Sequence, residues 1–152
     1  MGRIRVSTVI DAPPRTVWAA IEDIASHVDW MADAVAIRFT SAGHSGVGTT
    51  FDCDTRVGPI RLTDRMEITE WAPRRAMGVR HVGVVTGSGT FTLKRVRGGR
   101  TRFTWRETLR FPWWLGGPFG AVAGAPVLRR IWRRNLDNLR DLVEGGTPSS
   151  RG

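Results

Sequence analysis

The sequence predicts an α+β domain in which one long C-terminal helix covers the apolar face of an antiparallel sheet. Three observations carry that prediction. Between residues 49 and 111 short alternating segments follow one another, separated by glycine and proline, as in a meander. After residue 127 the apolar period changes from two to that of a helix. The 152 residues are 41% hydrophobic and contain no internal repeat or linker, which describes one domain with a sizeable core. Its expected extent is 1–145, with 146–152 a flexible tail.

The elements follow in order. Residues 3–10 alternate, with Ile4, Val6, Thr8 and Ile10 on one side, and read as a strand. Asp11 precedes Ala-Pro-Pro, a capping residue ahead of prolines tolerated in a first helical turn. Val17, Trp18, Ile21 and Ile24 then mark a short amphipathic helix over 13–24, and 27–31 reads as a second helical turn. A strand carrying Val35, Ile37 and Phe39 follows, then a glycine-rich loop at 41–48. Residues 49–57 and 60–71 alternate on either side of Gly58-Pro59. Another strand begins at Met77, Val79 and His81. After Gly87-Ser88-Gly89 comes the strand 91–96, and Gly98-Gly99 reads as a two-residue hairpin turn. The strand 101–111 puts Phe103, Trp105, Glu107, Leu109 and Phe111 on one face, and arginine and threonine on the other. The helix over 127–144 lines up Leu128, Trp132, Leu136 and Leu139, with Arg130, Arg133 and Arg134 around them, and Gly145-Gly146 stops it.

Charge and cysteine narrow the classes of function. The 23 cationic residues are 22 arginines and Lys94, giving a net charge of +9. They are scattered in runs no longer than two, so the expectation is solvated faces and no specific nucleic-acid site. A single cysteine, Cys53, excludes an intrachain disulfide framework and thiolate-rich metal sites, and it fits a reducing compartment. The N-terminal MGRIRVSTVI lacks the apolar run of a signal peptide, so a cytoplasmic protein is expected. The glycines at 43, 46 and 48 match neither a dinucleotide fingerprint nor a P-loop, and His27, His44 and His81 have no metal-ligand spacing. No metal and no cofactor are expected.

Several segments together resemble a family. They are V-x-x-x-I-D-A-P-P-x-x-V-W-x-x-I-x-D from Val6 to Asp23, Val28-Asp29-Trp30, E-W-x-P-R-R from Glu70 to Arg75, and N-L-x-N-L-x-D-L-V-E from Asn135 to Glu144. The chain resembles the SRPBCC, or START-like, superfamily, and looks most like its bacterial polyketide cyclase/dehydrase and lipid-transport group. The resemblance implies a helix-grip fold, a seven-stranded antiparallel sheet curled around the C-terminal helix and enclosing an apolar cavity. These motifs carry no catalytic residue to transfer, and the iron-binding pattern of the superfamily's ring-hydroxylase branch is absent.

With that fold, the apolar strand faces line a cavity, and the polar residues in step with them become the candidates. Asp64, His81 and Glu107 each have largely apolar i±2 neighbours. An unpaired buried carboxylate is costly or stays neutral, and beside an imidazole it suits general acid–base work on a carbonyl substrate. The plainer reading pairs the three with arginines or places them near strand ends in water, and a bulge at Gly78, Gly83 or Gly89 turns any of them outward. The expected ligand-binding wall comprises Phe51, Cys53, Asp64, Met66, Val79, His81, Phe91, Phe103, Trp105, Glu107, Trp113 and Phe119. Cys53 reads as a small core residue before it reads as a nucleophile.

The uncharged segment 111–128 has the length of a membrane span, but its prolines and glycines argue against one. Trp113, Trp114, Leu115 and Phe119 suit a lid on the cavity, a transient contact with a membrane surface, or plain packing on the sheet edge. Three functions remain: a carrier of a hydrophobic small molecule such as a lipid, polyketide or isoprenoid; a polyketide cyclase or dehydratase using Asp64, His81 or Glu107; and a protein-interaction module. Converging polar groups in a deep pocket favour the enzyme, a smooth apolar cavity the carrier, and a filled core the module. The sequence leaves the oligomeric state open.

Overall fold

Alternation in the first segment becomes β1, Gly2–Ile10, whose Ile4, Val6 and Ile10 are buried. The computed structural model describes residues 2–145, and the side chains of residues 118, 119 and 121–123 lie outside that description. The expected tail, 146–152, also lies outside it. After β1 come α1, Pro14–Ile21, and a 3₁₀ turn, Ile24–Asp29. Six strands follow: β2 Ala34–Phe39, β3 Thr50–Val57, β4 Ile60–Ala72, β5 Ala76–Val82, β6 Thr86–Val96 and β7 Arg100–Arg110. A 3₁₀ turn, Trp113–Leu115, leads into α2, Gly117–Glu144. The seven strands form one antiparallel sheet in the order β1-β7-β6-β5-β4-β3-β2. This is the expected α+β arrangement, a curled sheet gripping a long helix.

The C-terminal half of α2 fills the grip. Trp132, Leu136 and Leu139 are buried, Leu128 is half-buried, and Arg130, Arg133 and Arg134 face solvent. Trp132 stacks on Trp105 at 4.6 Å between ring centroids, and Trp30, Phe91, Phe103 and Trp105 form the aromatic centre of the core. Polar anchors fix the helix lengthwise. Asn135, wholly buried, accepts the Ala32 N–H at 3.0 Å and donates to Asp33 Oδ1 at 2.7 Å. Asn138 donates to the Trp30 carbonyl at 3.2 Å. The two asparagines of the N-L-x-N-L motif thus satisfy backbone and carboxylate groups that the chain buries between the first 3₁₀ turn and β2.

Several local expectations are corrected. Asp11 does not cap α1: Pro13 occupies that position without a side-chain cap, and the Asp11 N–H donates to Glu144 Oε2 at 2.7 Å. The helix stops at Ile21 because Asp23 starts a new turn, accepting the Ala25 N–H at 3.2 Å. Val35 is 60% exposed, since a register shift between Ala34 and Ala36 makes it an extra residue in β2. The Gly98-Gly99 hairpin has three loop residues, 97–99, with Val96 facing Arg100. β6 starts at Thr86 instead of 91 and so takes in Gly87-Ser88-Gly89.

The largest correction is α2, which begins ten residues before the expected 127. Pro118 falls in its first turn, where its missing N–H is harmless, and Pro126 sits on an exposed face. A Cβ on Gly120 would collide with the Leu115 carbonyl, so this glycine permits close packing of helix on turn. Glycines and prolines that look like helix breakers thus serve the helix start. Among the described residues no helix is long and apolar enough to cross a membrane.

The outer face of the sheet carries the expected arginines: Arg61, Arg65, Arg102, Arg106 and Arg110 are all exposed. Part of the charge is paired there, Arg38 with Asp54 at 2.6 Å, Arg65 with Asp52 at 3.1 Å, and Arg80 with Glu67.

Candidate functional site

Because the sheet curls further than α2 can fill, a cavity of about 360 Å³ remains between its inner face and the first half of the helix. Its wall is mainly apolar. β3 and β4 contribute Phe51, Cys53, Leu62 and Met66, β5 and β6 contribute Val79 and Phe91, and α2 contributes Gly124, Val127 and Leu128. Ile60 and Val127 line it and are also exposed, so the cavity opens between the β3–β4 turn and α2.

On this wall Asp64, His81 and Glu107 form one hydrogen-bonded cluster. His81 Nδ1 lies 2.8 Å from Asp64 Oδ2, and His81 Nε2 lies 2.7 Å from Glu107 Oε2. Trp105 Nε1 donates to Glu107 Oε1 at 3.1 Å. A neutral imidazole carries one N–H, so two carboxylate partners call for the imidazolium. Burial pulls the His81 pKa down, but the bonds to Asp64 and Glu107 outweigh it and raise it to about 10. The cluster therefore holds one cation between two carboxylates. Asp64 Oδ1 is buried without a partner among the described residues.

The strands explain how three distant residues meet. Met66 is the register partner of His81, and Asp64 lies two residues along the same face of β4. Glu107 is two strands away, across β6, yet β6 presents only Gly87 opposite His81 and Gly89 opposite Glu107. With no side chain at either glycine, imidazole and carboxylate meet over the strand. A Cβ on Gly89 would stand 2.6 Å from Glu107 Cδ. None of the bulges considered at Gly78, Gly83 or Gly89 turns the cluster outward; the irregularity between β4 and β5 falls instead between Ile68 and Glu70.

The profile of the polyketide cyclase / dehydrase and lipid transport family matches residues 1–144. The chain belongs to that family. Solved structures of the same fold include TTHA0849 from Thermus thermophilus, 15% identical, which covers 95% of this chain and 99% of its own at a TM-score of 0.74. XoxI from Bacillus cereus is 17% identical, with 95% and 96% covered and a TM-score of 0.74. CV1439 from Chromobacterium violaceum is 18% identical, with 95% and 99% covered and a TM-score of 0.68. At such identities the likeness is one of fold. No curated protein matches the chain.

Within this member of the polyketide cyclase/dehydrase and lipid-transport family, most residues expected on the wall stand there: Phe51, Cys53, Asp64, Met66, Val79, His81, Phe91, Trp105 and Glu107. Phe103 does not, being wholly buried behind the wall against Trp30 and Phe91. Trp113 does not either; it is 87% exposed, whereas Leu115 of the same turn lines the cavity. The Phe119 side chain lies outside the described residues. Phe111 and Leu115 do reach the cavity, so part of the 111–121 segment borders it. Cys53 is buried, and burial pushes its thiol up to about 12, which leaves it without thiolate character at neutral pH.

Two titratable wall residues escaped sequence reasoning. Asp33 accepts from Trp132 Nε1 at 3.1 Å and from Asn135. His27 Nε2 donates to the Ile21 carbonyl at 2.7 Å, which leaves Nδ1 an acceptor, and burial lowers its pKa so that the ring stays neutral. Neither sits on an alternating strand, so period gave no signal. Among the described residues no group of three or more side chains is arranged to hold a metal ion.

Proposed function

We propose that this protein binds and carries a hydrophobic small molecule of lipid, polyketide or isoprenoid kind in the cavity between sheet and helix. The observation that carries the reading is the cavity itself, about 360 Å³ with a mainly apolar wall, in a family whose description includes lipid transport. An apolar ligand gains by leaving water, and the few polar groups orient it. The exposed Trp113 and Trp114 beside this wall are suited to brief contact with a membrane surface during loading, and the free, buried Cys53 agrees with a cytoplasmic setting.

A second reading, a cyclase or dehydratase, is favoured by the convergence of Asp64, His81 and Glu107 in one pocket. Against it, a proton carrier works best with a pKa near the working pH, and His81 is held far above that. An interaction module loses its support with the unfilled core.

The test is titration with the neutral apolar fluorophore N-phenyl-1-naphthylamine. One saturable site is expected, abolished by Val79→Trp, which fills the cavity from β5. No saturable binding, or equal binding to the blocked variant, contradicts the carrier. Glu107→Gln separates the readings on any ligand later recovered: loss of turnover with binding kept identifies an enzyme.

A further inference from the structure

We propose that the cavity selects ligands whose polar end is an uncharged or cationic hydrogen-bond donor, an alcohol or an ammonium, and rejects carboxylates. The inference rests on the carrier reading and adds the class of head group.

The charge distribution is the first argument. This is a protein of net charge +9, yet no arginine or lysine stands among the described residues of the cavity wall. Three carboxylates do: Asp33, Asp64 and Glu107. The His81 imidazolium balances one of them. Asp33 is held by the indole N–H of Trp132 and the amide of Asn135, neutral donors that bring no compensating charge. The interior is therefore negative inside a positive shell.

The inventory of donors is the second argument. Both N–H groups of His81 are committed to Asp64 and Glu107, the Trp105 N–H to Glu107, and the Thr55 hydroxyl to the Cys53 carbonyl, while Thr90 alternates to the outer face of β6 between the buried Gly89 and Phe91. His27 spends its N–H on Ile21, leaving an acceptor. The Cys53 thiol, which faces Asp64 in register, stays protonated and is a weak donor at best. Among the described wall residues the group left over is an acceptor, Asp64 Oδ1, buried and without a partner; the other unpaired buried group, the Trp30 indole N–H, belongs to a residue that does not line the cavity. A buried acceptor is ordinarily satisfied, and a donor head group docked against Asp64 is attracted to its carboxylate. A carboxylate brings only acceptors and a like charge to a low-dielectric site, where both are penalised.

The experiment uses the full chain and four probes with one alkyl tail: decylammonium, 1-decanol, methyl decanoate and decanoate. Each is titrated by calorimetry below its micelle concentration at neutral pH and about 0.15 M salt. Decylammonium and decanol are expected to bind at least tenfold more tightly than decanoate, the order of effect of a hydrogen bond to a charged group. Methyl decanoate, which cannot donate, falls between. In Asp64→Asn the preference for ammonium over decanoate shrinks about tenfold, and Glu107→Gln, which also removes one charge, shifts it in the same direction. Should decanoate bind as tightly as the other three to the wild type, the selectivity is refuted while the carrier stands. If no probe binds, methyl decanoate included, the carrier reading falls and the inference with it. The wild-type series decides without reliance on the folding of any variant.

Discussion

The His81 cluster makes stability depend on pH in a way that can be worked out from the structure. In the unfolded chain His81 titrates near 6.5, and in the folded protein near 10. Below pH 6.5 both states hold the proton and the stabilisation is fully present. Between the two values the folded state keeps a proton that the unfolded state has lost, so stability falls as pH rises. The slope approaches about 1.4 kcal/mol per pH unit, or about 2 kcal/mol between 6.5 and about 8.5, and about 5 kcal/mol in all by pH 10. His27 acts in the opposite sense and in another window: its folded pKa lies below 6.5, so stability is lost as pH falls through the range beneath that value. The two together place the maximum near pH 6.5. Cys53, raised from 9.0 to about 12, deepens the alkaline loss only above 9, outside the interval measured. Urea unfolding at several pH values between 6 and 8.5 gives the curve, and His81→Gln should flatten its alkaline limb. A wild-type stability that stays level over that interval, or a His81 imidazole titrating near 6.5 by NMR, would refute the buried imidazolium.

Other outcomes follow from single contacts. Gly89→Ala introduces a Cβ 2.6 Å from Glu107 Cδ, so the protein should fold but lose the Glu107–His81 bond, at a cost of about 1–3 kcal/mol; an unmoved His81 titration in this variant would show that the cluster tolerates a side chain there. Leu136→Ala, at a site 1% exposed, should cost about 2–5 kcal/mol and lower Tm visibly, and an unchanged thermal midpoint would count against the grip of sheet on helix. The exposed arginines should give weak duplex binding that fades by about 0.2 M salt; sequence-selective binding that persists there would mean a reading surface the outer face does not have.

Much of this architecture was legible because strand alternation is a direct record of which face is buried. The inward positions of Asp64, His81 and Glu107 follow from the period of two, and the burial of Trp132, Leu136 and Leu139 from the helical one. Period alone cannot show convergence. Asp64, His81 and Glu107 meet because β6 offers glycine twice between them, and Gly87-Ser88-Gly89 read locally is a loop signal. Val35 shows the same limit from the other side, since one inserted residue in β2 reverses its face without altering the hydrophobic pattern. The early start of α2 was hidden because propensity counts Gly116, Gly117, Gly120 and Gly124 as breakers, whereas here Gly120 is what lets the helix lie on Leu115. Asp33 and His27 lie outside periodic segments and reach the wall only through tertiary contacts with α2 and the core aromatics.

Native mass spectrometry reads out whether the cavity holds one hydrophobic molecule. The full chain and its Val79→Trp variant are each incubated with a total bacterial lipid extract, desalted and sprayed intact. The wild type should carry a one-to-one adduct that is released on denaturation, passes into organic solvent and is missing from the blocked variant. Bare protein in both samples, or the same adduct on both, would contradict the carrier.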